Sequence, residues 1–131
     1  MIEIKHLRKS FGEGDKKIVV LDDFNAKMEK GQITSIIGGS GSGKSTVLKH
    51  LIGAYTPDSG EIWIDGEEVS LLKGEAANSV RKKFGSMFQS GALFNSLTVE
   101  DNVALPMREH TELNESTIQI MVKMKLEMVG L

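Results

Sequence analysis

The chain has 131 residues, of which 40% are hydrophobic and 26% are charged, and its formal net charge is −2. These values are typical of one globular domain with a sizeable core, and they give no reason to expect nucleic acid as a partner. Because the chain contains no cysteine, disulfides and thiolate metal sites are excluded. No apolar stretch approaches the ~20 residues that cross a bilayer, so we expect a cytoplasmic protein that reaches any membrane through a partner.

Strands are predicted at the N-terminus over residues 2–7 and 18–28, joined by a polar loop that contains two glycines. The apolar run Ile33–Ile37 predicts a buried central strand. Apolar residues then recur at helical spacing, which predicts a helix over 44–52.

The loop between this strand and this helix carries the strongest motif of the chain. The run Gly-Gly-Ser-Gly-Ser-Gly-Lys-Ser-Thr fits the P-loop pattern G-x-x-x-x-G-K-S/T. Glycines let the backbone approach an anion closely, and the first N–H groups of a helix have no intrahelical partner. Lys44 adds a charge for the β- and γ-phosphates, and the Ser45 hydroxyl can hold Mg²⁺. The predicted binding residues are Gly38, Gly39, Ser40, Gly41, Ser42, Gly43, Lys44, Ser45 and Thr46.

Four features follow the P-loop helix. Residues 56–60 predict a turn, because proline presets φ and glycine accepts a positive φ. The run Ile62–Ile64 leads into Asp65-Gly66, a strong hairpin signal. Residues 75–82 are weakly helical in pattern, and Phe84–Phe88 predicts a short strand.

The last third of the chain predicts two helices. Thr98 opens a capping-box pattern with Asp101, and we expect its helix to stop before Pro106. A longer helix is predicted over 114–129, with Gly130 in the capping position. Its methionines share one face, and we expect them to pack in a core, with a contact surface for a membrane partner as the alternative. They are Met121, Met124 and Met128.

Four ordered segments resemble the nucleotide-binding subunit of an ABC transporter, over the whole chain. They are the P-loop, the Asp58–Ile62 turn followed by Asp65-Gly66, the Q-loop-like Met87-Phe88-Gln89, and Leu97–Val103. The resemblance implies an α/β fold with α+β elements, in which a P-loop NTPase core carries an antiparallel β-subdomain and the start of a helical subdomain. It implies that 1–131 is the N-terminal part of an ABC ATPase domain, with the nucleotide-binding core and β-subdomain in 1–90, and the Q-loop segment and partial helical subdomain in 91–131.

Two segments, Phe88–Phe94 and Pro106–Thr111, are similar to the ATPases of Mla-type lipid transporters, which work with Mce-domain proteins in Gram-negative envelopes. This similarity implies a subunit that binds ATP and Mg²⁺ and drives phospholipid transport from the cytoplasmic face of the bacterial inner membrane. The implied partners are a transmembrane permease, a second copy of the ATPase and an Mce-domain lipid-binding protein, with no nucleic acid.

The resemblance also assigns roles to single residues. Phe11 occupies the place of the adenine-stacking aromatic, with a core residue at a strand end as the alternative. Gln89 would contact Mg²⁺ or the attacking water, with an ordinary polar residue at a strand end as the alternative. The implied catalytic residues are therefore Lys44 and Gln89, and the implied metal ligands are Ser45 and Gln89.

The other catalytic parts of this family do not occur in the sequence. It has no Leu-Ser-Gly-Gly signature, and after Gln89 no apolar strand ends in Asp-Glu and no switch histidine follows. Two acid-ended apolar runs, Ile18–Asp23 and Ile62–Asp65, are interpreted as structural strands. The three histidines, at positions 6, 50 and 110, are expected to be surface or packing residues without an acidic partner.

We therefore expect the N-terminal part of a longer ATPase, which binds nucleotide and hydrolyses it near background. Three alternatives stay open: an isolated non-catalytic nucleotide-binding module, an ABC ATPase for another cargo, and a soluble ABC-type ATPase of nucleic-acid maintenance or translation. The last is disfavoured by the absence of basic clusters.

Overall fold

The computed structural model describes residues 1–88 and 91–131. The chain forms two compact units, Met1–Ser86 and Met87–Leu131, called here the first and second unit. Within the described residues, no helix has the length and apolar character needed to cross a membrane.

The first unit is built on a four-stranded antiparallel sheet in the order β2-β1-β3-β4. The strands are β1 (Ile2–Phe11), β2 (Ile18–Met28), β3 (Ser59–Ile64) and β4 (Glu67–Glu68). The prediction for β2 is confirmed, whereas β1 is longer than predicted because its end continues to pair with β2, with Phe11 opposite Ile18. The hairpin prediction is also confirmed, since Asp65 and Gly66 form the turn between β3 and β4.

Two helices belong to the first unit, α1 (Lys44–Leu51) and α2 (Gly74–Arg81), and both lie close to their predicted bounds. The core joins both helices to the sheet, and Leu7 at its centre is 0% exposed. Its buried members are Ile4, Leu7, Leu21, Val47, Leu51, Ile62, Ile64 and Val80. Because Val47 and Leu51 belong to this core, the sheet fixes where α1 begins and therefore where the P-loop ends.

The pairing of β1 with β2 contains irregularities that bring a histidine to an acid. His6 and Asp23 both have positive φ, 51° and 56°, where the strand register shifts. The Nδ1 atom of His6 lies 2.7 Å from Oδ1 of Asp23. The prediction that His6 has no acidic partner is therefore wrong, because cross-strand pairing joins residues that are distant in sequence. His50 is buried, in agreement with a packing role.

The two short strands predicted at Ile33–Ile37 and Phe84–Phe88 do not form. Ile33 and Ile37 are 99% and 91% exposed, and Met87 is 99% exposed. A strand needs a hydrogen-bonded neighbour, and within residues 1–88 and 91–131 none pairs with either run. Within these two runs, Ile36 and Phe84 are the residues that pack against the core of the first unit. The apolar patterns are typical of buried strands, but an apolar pattern without a pairing partner does not make a sheet.

The second unit consists of the helices α3 (Val99–His110) and α4 (Glu115–Glu127). The capping prediction for α3 is confirmed: the Thr98 hydroxyl accepts from the Asp101 N–H at 3.0 Å and donates to Oδ2 of Asp101 at 2.7 Å. The prediction that the helix stops before Pro106 is wrong, because α3 continues to His110. The continued turn buries Met107 together with Ala104 against α4, which offsets the cost of an interior proline.

The end of α4 follows the predicted pattern, whereas only one of its three predicted core methionines packs in a core. Gly130 has a φ of 81°, and the Leu131 N–H donates to the Leu126 carbonyl at 3.0 Å. Met121 packs against the buried residues of the second unit, as expected. Met124 and Met128 are 58% and 84% exposed, so the expectation of core packing is wrong for these two.

Candidate functional site

The P-loop reaches α1 through a glycine that no other residue could replace without strain. Gly43 caps the helix with a φ of 89°, and its carbonyl accepts from the Val47 N–H at 2.9 Å. A Cβ atom on Gly43 would lie 3.0 Å from Cδ2 of Leu21 and 3.2 Å from the Val20 carbonyl oxygen. The start of α1 thus packs closely against β2, and a side chain at position 43 would force Leu21 or Val20 to shift and would have to adopt a positive φ.

The Lys44 ammonium closes over the loop that precedes it. Its Nζ donates to the carbonyl oxygens of Gly38 at 2.7 Å and Gly39 at 2.6 Å, and Oγ of Ser42 lies 3.5 Å away. The Ser42 N–H in turn donates to the Gly39 carbonyl at 3.3 Å. These contacts hold a positive charge on the P-loop itself, where a phosphate would need it.

The P-loop forms one wall of an open cleft of about 410 Å³. Its lining combines glycines, hydroxyls and two ammonium groups with aromatic and apolar surface, and comprises Phe11, Val20, Gly41–Thr46, Lys49 and Tyr55. Ligand clefts in proteins typically measure about 300–1,000 Å³ and have an apolar lining with a few polar groups. The donor set therefore fits a phosphorylated ligand that also carries an apolar, planar part.

Phe11 lies at the end of β1, and 37% of its surface is exposed. Nζ of Lys9 lies 5.6 Å from the centre of its ring, and the Tyr55 ring meets it edge to face at 5.4 Å between centroids. Phe11 thus lines the cleft with part of its surface open to it. Its stacking on a base stays a prediction.

Asp58 fastens the segment of β1 that carries Phe11. Its carboxylate accepts from the Ser10 N–H at 2.7 Å and from Nζ of Lys9 at 3.0 Å, while its own N–H donates to the Arg8 carbonyl at 3.0 Å. The hydrogen bond from Lys9, followed by that from Ser10, lowers the pKa of Asp58 below its usual value. The turn predicted at 56–60 is shorter in the structure, because Ser59 and Gly60 already belong to β3, and the residue before this strand, Asp58, has a positional role that the sequence pattern alone did not predict.

Most of the residues predicted for binding come together, and the cleft adds three that sequence reasoning missed. Gly41 to Thr46 line the cleft, Gly38 and Gly39 contact Lys44, and Gln89 lies outside the described residues. The residues missed are Val20, Lys49 and Tyr55. Lys49 could have been found, since it follows Ser45 by four residues on the same helix. Val20 reaches the cleft only through the sheet, which no local pattern predicts.

No cluster of three or more histidine or acidic side chains within residues 1–88 and 91–131 could hold a metal ion. The Ser45 hydroxyl lines the cleft and is an oxygen ligand of the kind that Mg²⁺ accepts beside phosphate oxygens.

The chain is similar to curated proteins over nearly all of its length. It is 47% identical over 131 residues to an intermembrane phospholipid transport system ATP-binding protein, MlaF, of Haemophilus influenzae, and covers 48% of that protein. It is 43% identical over 122 residues to MlaF of Escherichia coli, covering 93% of this chain and 45% of that protein. It is 42% identical over 130 residues to the probable ribonucleotide transport ATP-binding protein mkl of Mycobacterium leprae, covering 36% of that protein. The chain thus spans half or less of the length of these relatives.

The fold is also that of a solved ATP-binding cassette. The dimeric, post-hydrolysis structure of the cassette MJ0796 bound to ADP and Pi matches with a TM-score of 0.91 and 30% sequence identity, over 100% of this chain and 58% of that chain. The mixed α/β fold class predicted from the sequence is therefore confirmed. The sequence profile of the ABC transporter family matches residues 21–129, so the chain belongs to the ABC transporter family.

Proposed function

We propose that this chain is the ATP-binding part of the ATP-hydrolysing subunit of a phospholipid transporter. The observation that carries the proposal is the cleft of about 410 Å³ that is lined both by Lys44 with P-loop glycines and by Phe11. The P-loop side offers positive charge and backbone groups to phosphates, and the aromatic side offers a ring face to a base. In this assignment Phe11 stacks on adenine and Gly38–Thr46 hold the triphosphate.

Phosphoryl transfer to water depends mainly on positioning and charge stabilisation. Lys44 donates hydrogen bonds to the carbonyls of Gly38 and Gly39 in this structure. With nucleotide bound, it would place its charge against the β- and γ-phosphates. Ser45 and Gln89 would hold Mg²⁺, whose charge would offset that of the β- and γ-phosphate oxygens. The acid that orients water in this family does not occur in the sequence, so the 131-residue chain should bind ATP without appreciable turnover.

The similarity to two MlaF proteins supports phospholipid as the cargo. The proposed partners are a transmembrane permease, a second copy of the ATPase and an Mce-type lipid-binding protein, at the cytoplasmic face of the bacterial inner membrane. A second candidate cargo is a ribonucleotide, because the chain is 42% identical to the probable ribonucleotide transport protein mkl.

Nucleotide binding can be tested on the chain by calorimetry with Mg-ATP. We expect Lys44→Ala to weaken binding about 10- to 100-fold, since a hydrogen bond to a charged group contributes about 1.5–3 kcal/mol. Lys125→Ala is the matched control, because Lys125 is exposed on α4 of the second unit. Equal affinity of Lys44→Ala and the unaltered chain would refute the proposal, and phosphate release well above background that Lys44→Ala abolishes would refute the expected lack of turnover.

The cargo can be tested with the full-length protein and its co-purified permease in vesicles. We expect ATP-dependent movement of a fluorescent phospholipid that the Lys44→Ala variant does not support. ATP-dependent uptake of a radiolabelled ribonucleotide, without lipid movement, would favour the second cargo. A full-length protein that binds but never hydrolyses ATP would favour the non-catalytic module.

A further inference from the structure

Tyr55 is the aromatic residue among the three lining residues that neither the P-loop pattern nor the assigned roles explain. It follows the end of α1, and it is the only tyrosine of the chain. Its ring meets that of Phe11 at 5.4 Å between centroids and an interplanar angle of 62°. Two rings at such an angle form a corner, and both rings line the same cleft.

Two contacts besides Phe11 position Tyr55, one through its backbone and one through its ring, and the ring partner is itself anchored to α1. Its backbone N–H donates to the Lys49 carbonyl at 3.1 Å. The ring of buried His50 packs edge to face against it at 5.8 Å, and His50 Nδ1–H donates to the Thr46 carbonyl at 2.7 Å in the first turn of α1. The position of Tyr55 is therefore tied to the same helix that begins at the P-loop.

Lys49 sets the hydrogen bonding of the Tyr55 hydroxyl. Nζ of Lys49 lies 5.0 Å from the centre of the Tyr55 ring and 3.3 Å from its hydroxyl oxygen. An ammonium group can only donate, so the hydroxyl oxygen accepts from Lys49 and its own proton remains to be donated. Since both side chains line the cleft, this proton can reach an acceptor on a ligand there.

We propose that Tyr55 is a second nucleoside-binding residue, which contacts the base or ribose of the bound nucleotide beside Phe11, and that Lys49 positions its hydroxyl. This inference rests on the proposed function, because it requires that the cleft bind a nucleotide. Aromatic rings bind bases through their π-faces, and the tyrosine hydroxyl adds a donor for the acceptor atoms of a ribose or base. Tyr55 thereby recognises the nucleoside half of the ligand, whereas Lys44 recognises the phosphates.

The test compares Mg-ATP with Mg-tripolyphosphate, which has the phosphates but no nucleoside. By calorimetry, we expect Tyr55→Ala to weaken Mg-ATP binding on the order of tenfold, since it removes one of the two aromatic rings that a base can contact in the cleft. Tyr55→Phe should have a smaller effect, because it keeps the ring and loses the hydroxyl. Neither variant should change the affinity for Mg-tripolyphosphate, and Lys44→Ala should weaken the binding of both ligands.

A second measurement uses the unaltered chain and so does not depend on the folding of a variant. With ring-labelled tyrosine, Tyr55 gives the only tyrosine signals in an NMR spectrum. Mg-ATP should shift these signals through the ring current of adenine, and Mg-tripolyphosphate at saturation should leave them nearly unmoved. A tyrosine that only packs against Phe11 would not distinguish the two ligands.

The outcomes separate this inference from the proposed function. If both ligands bind but shift the Tyr55 signals equally, or if Tyr55→Ala binds Mg-ATP as the unaltered chain does, the role of Tyr55 is refuted and the nucleotide site stands. If neither ligand binds the unaltered chain, the proposed function fails and the inference fails with it.

Discussion

At the scale of single residues, the glycines of the P-loop have different structural roles. Gly43 combines a φ of 89° with a Cβ position only 3.0 Å from a Leu21 methyl group. Around Gly39, by contrast, a Cβ would meet no heavy atom within 4 Å, and its φ is not positive. The motif presents the two glycines alike, but only Gly43 is required by the packing of α1 on β2.

Gly43→Ala should destabilise the first unit, and Gly39→Ala should not. We expect Gly43→Ala to lower the free energy of unfolding by about 1–3 kcal/mol, because the alanine must adopt a positive φ and displace β2. Gly39→Ala should stay within about 0.5 kcal/mol of the unaltered chain. Urea unfolding followed by the fluorescence of Trp63, the only tryptophan and a residue of β3, measures both. Equal stabilities of the two variants would show that the contact with Leu21 relaxes without cost.

At the scale of elements, the helix pair of the second unit is fixed by polar contacts at its ends as well as by its core. The Arg108 guanidinium donates from Nη1 to Asp101 at 2.9 Å and from Nε to Glu115 at 3.1 Å. The hydrogen bond from Arg108, and then its positive charge, lower the pKa of Glu115. The pKa of Asp101 is lowered by the hydrogen bond from Thr98 and then by that from Arg108. Between 36% and 51% of each side chain is exposed to solvent, so these ion pairs fix geometry and contribute little stabilisation.

Pro106 is the unfavourable residue of this helix pair. It lies inside α3, where it removes one backbone N–H and crowds the preceding turn. Pro106→Ala should therefore raise the free energy of unfolding by about 1–3 kcal/mol, measured by urea unfolding with circular dichroism.

The chain offers its only other proline as the control for this prediction. Pro57 lies in the segment between α1 and β3, outside any helix. Pro57→Ala should lower stability by up to about 1 kcal/mol, because it frees the unfolded chain. A destabilised Pro106→Ala variant would show instead that the proline ring contributes packing that alanine cannot replace.

At the scale of the whole molecule, folding of the first unit is coupled to the protonation of His50. This side chain is 2% exposed, and its Nε2 has no hydrogen-bond partner among the described residues. Burial is the main cause that lowers the pKa of His50, and Lys9 lowers it further, while the Thr46 carbonyl and Asp58 oppose the shift. The unfolded chain therefore binds a proton at His50 more readily than the folded chain does.

This coupling predicts a loss of stability in mild acid. As the pH falls below about 6.5, the unfolded chain gains its proton first and the free energy of unfolding decreases. His50→Leu removes this contribution, so the variant should lose less stability between neutral and mildly acidic pH than the unaltered chain. Urea unfolding followed by Trp63 fluorescence at both pH values measures the difference. His110→Leu, at an exposed position of the second unit, is the control, and an unchanged acid loss in His50→Leu would contradict the prediction.

Much of the local structure follows from the sequence because its causes lie within a few residues. The hairpin at Asp65-Gly66, the cap at Thr98 and the start of α1 after Gly43 all form as predicted. Predictions that depended on residues far away in the sequence were wrong in two cases. The strand expected at Ile33–Ile37 does not form, and α3 passes through Pro106, because sheet pairing and helix packing are decided by residues far along the chain.

The sequence by itself determined that this chain carries a P-loop and belongs with the ATP-binding subunits of ABC transporters, since a phosphate cradle needs glycines, a lysine and a hydroxyl at fixed short spacing. Only the tertiary structure decided which other residues line the cleft beside the P-loop. The strand β1 carries Phe11 to the cleft, Asp58 fastens that strand, and the end of α1 brings Tyr55 against Phe11. Tyr55 and Asp58 lie at least 44 residues after the residues of β1 that they contact. They come together because the elements that carry them bury a shared core, and no short sequence pattern encodes that core.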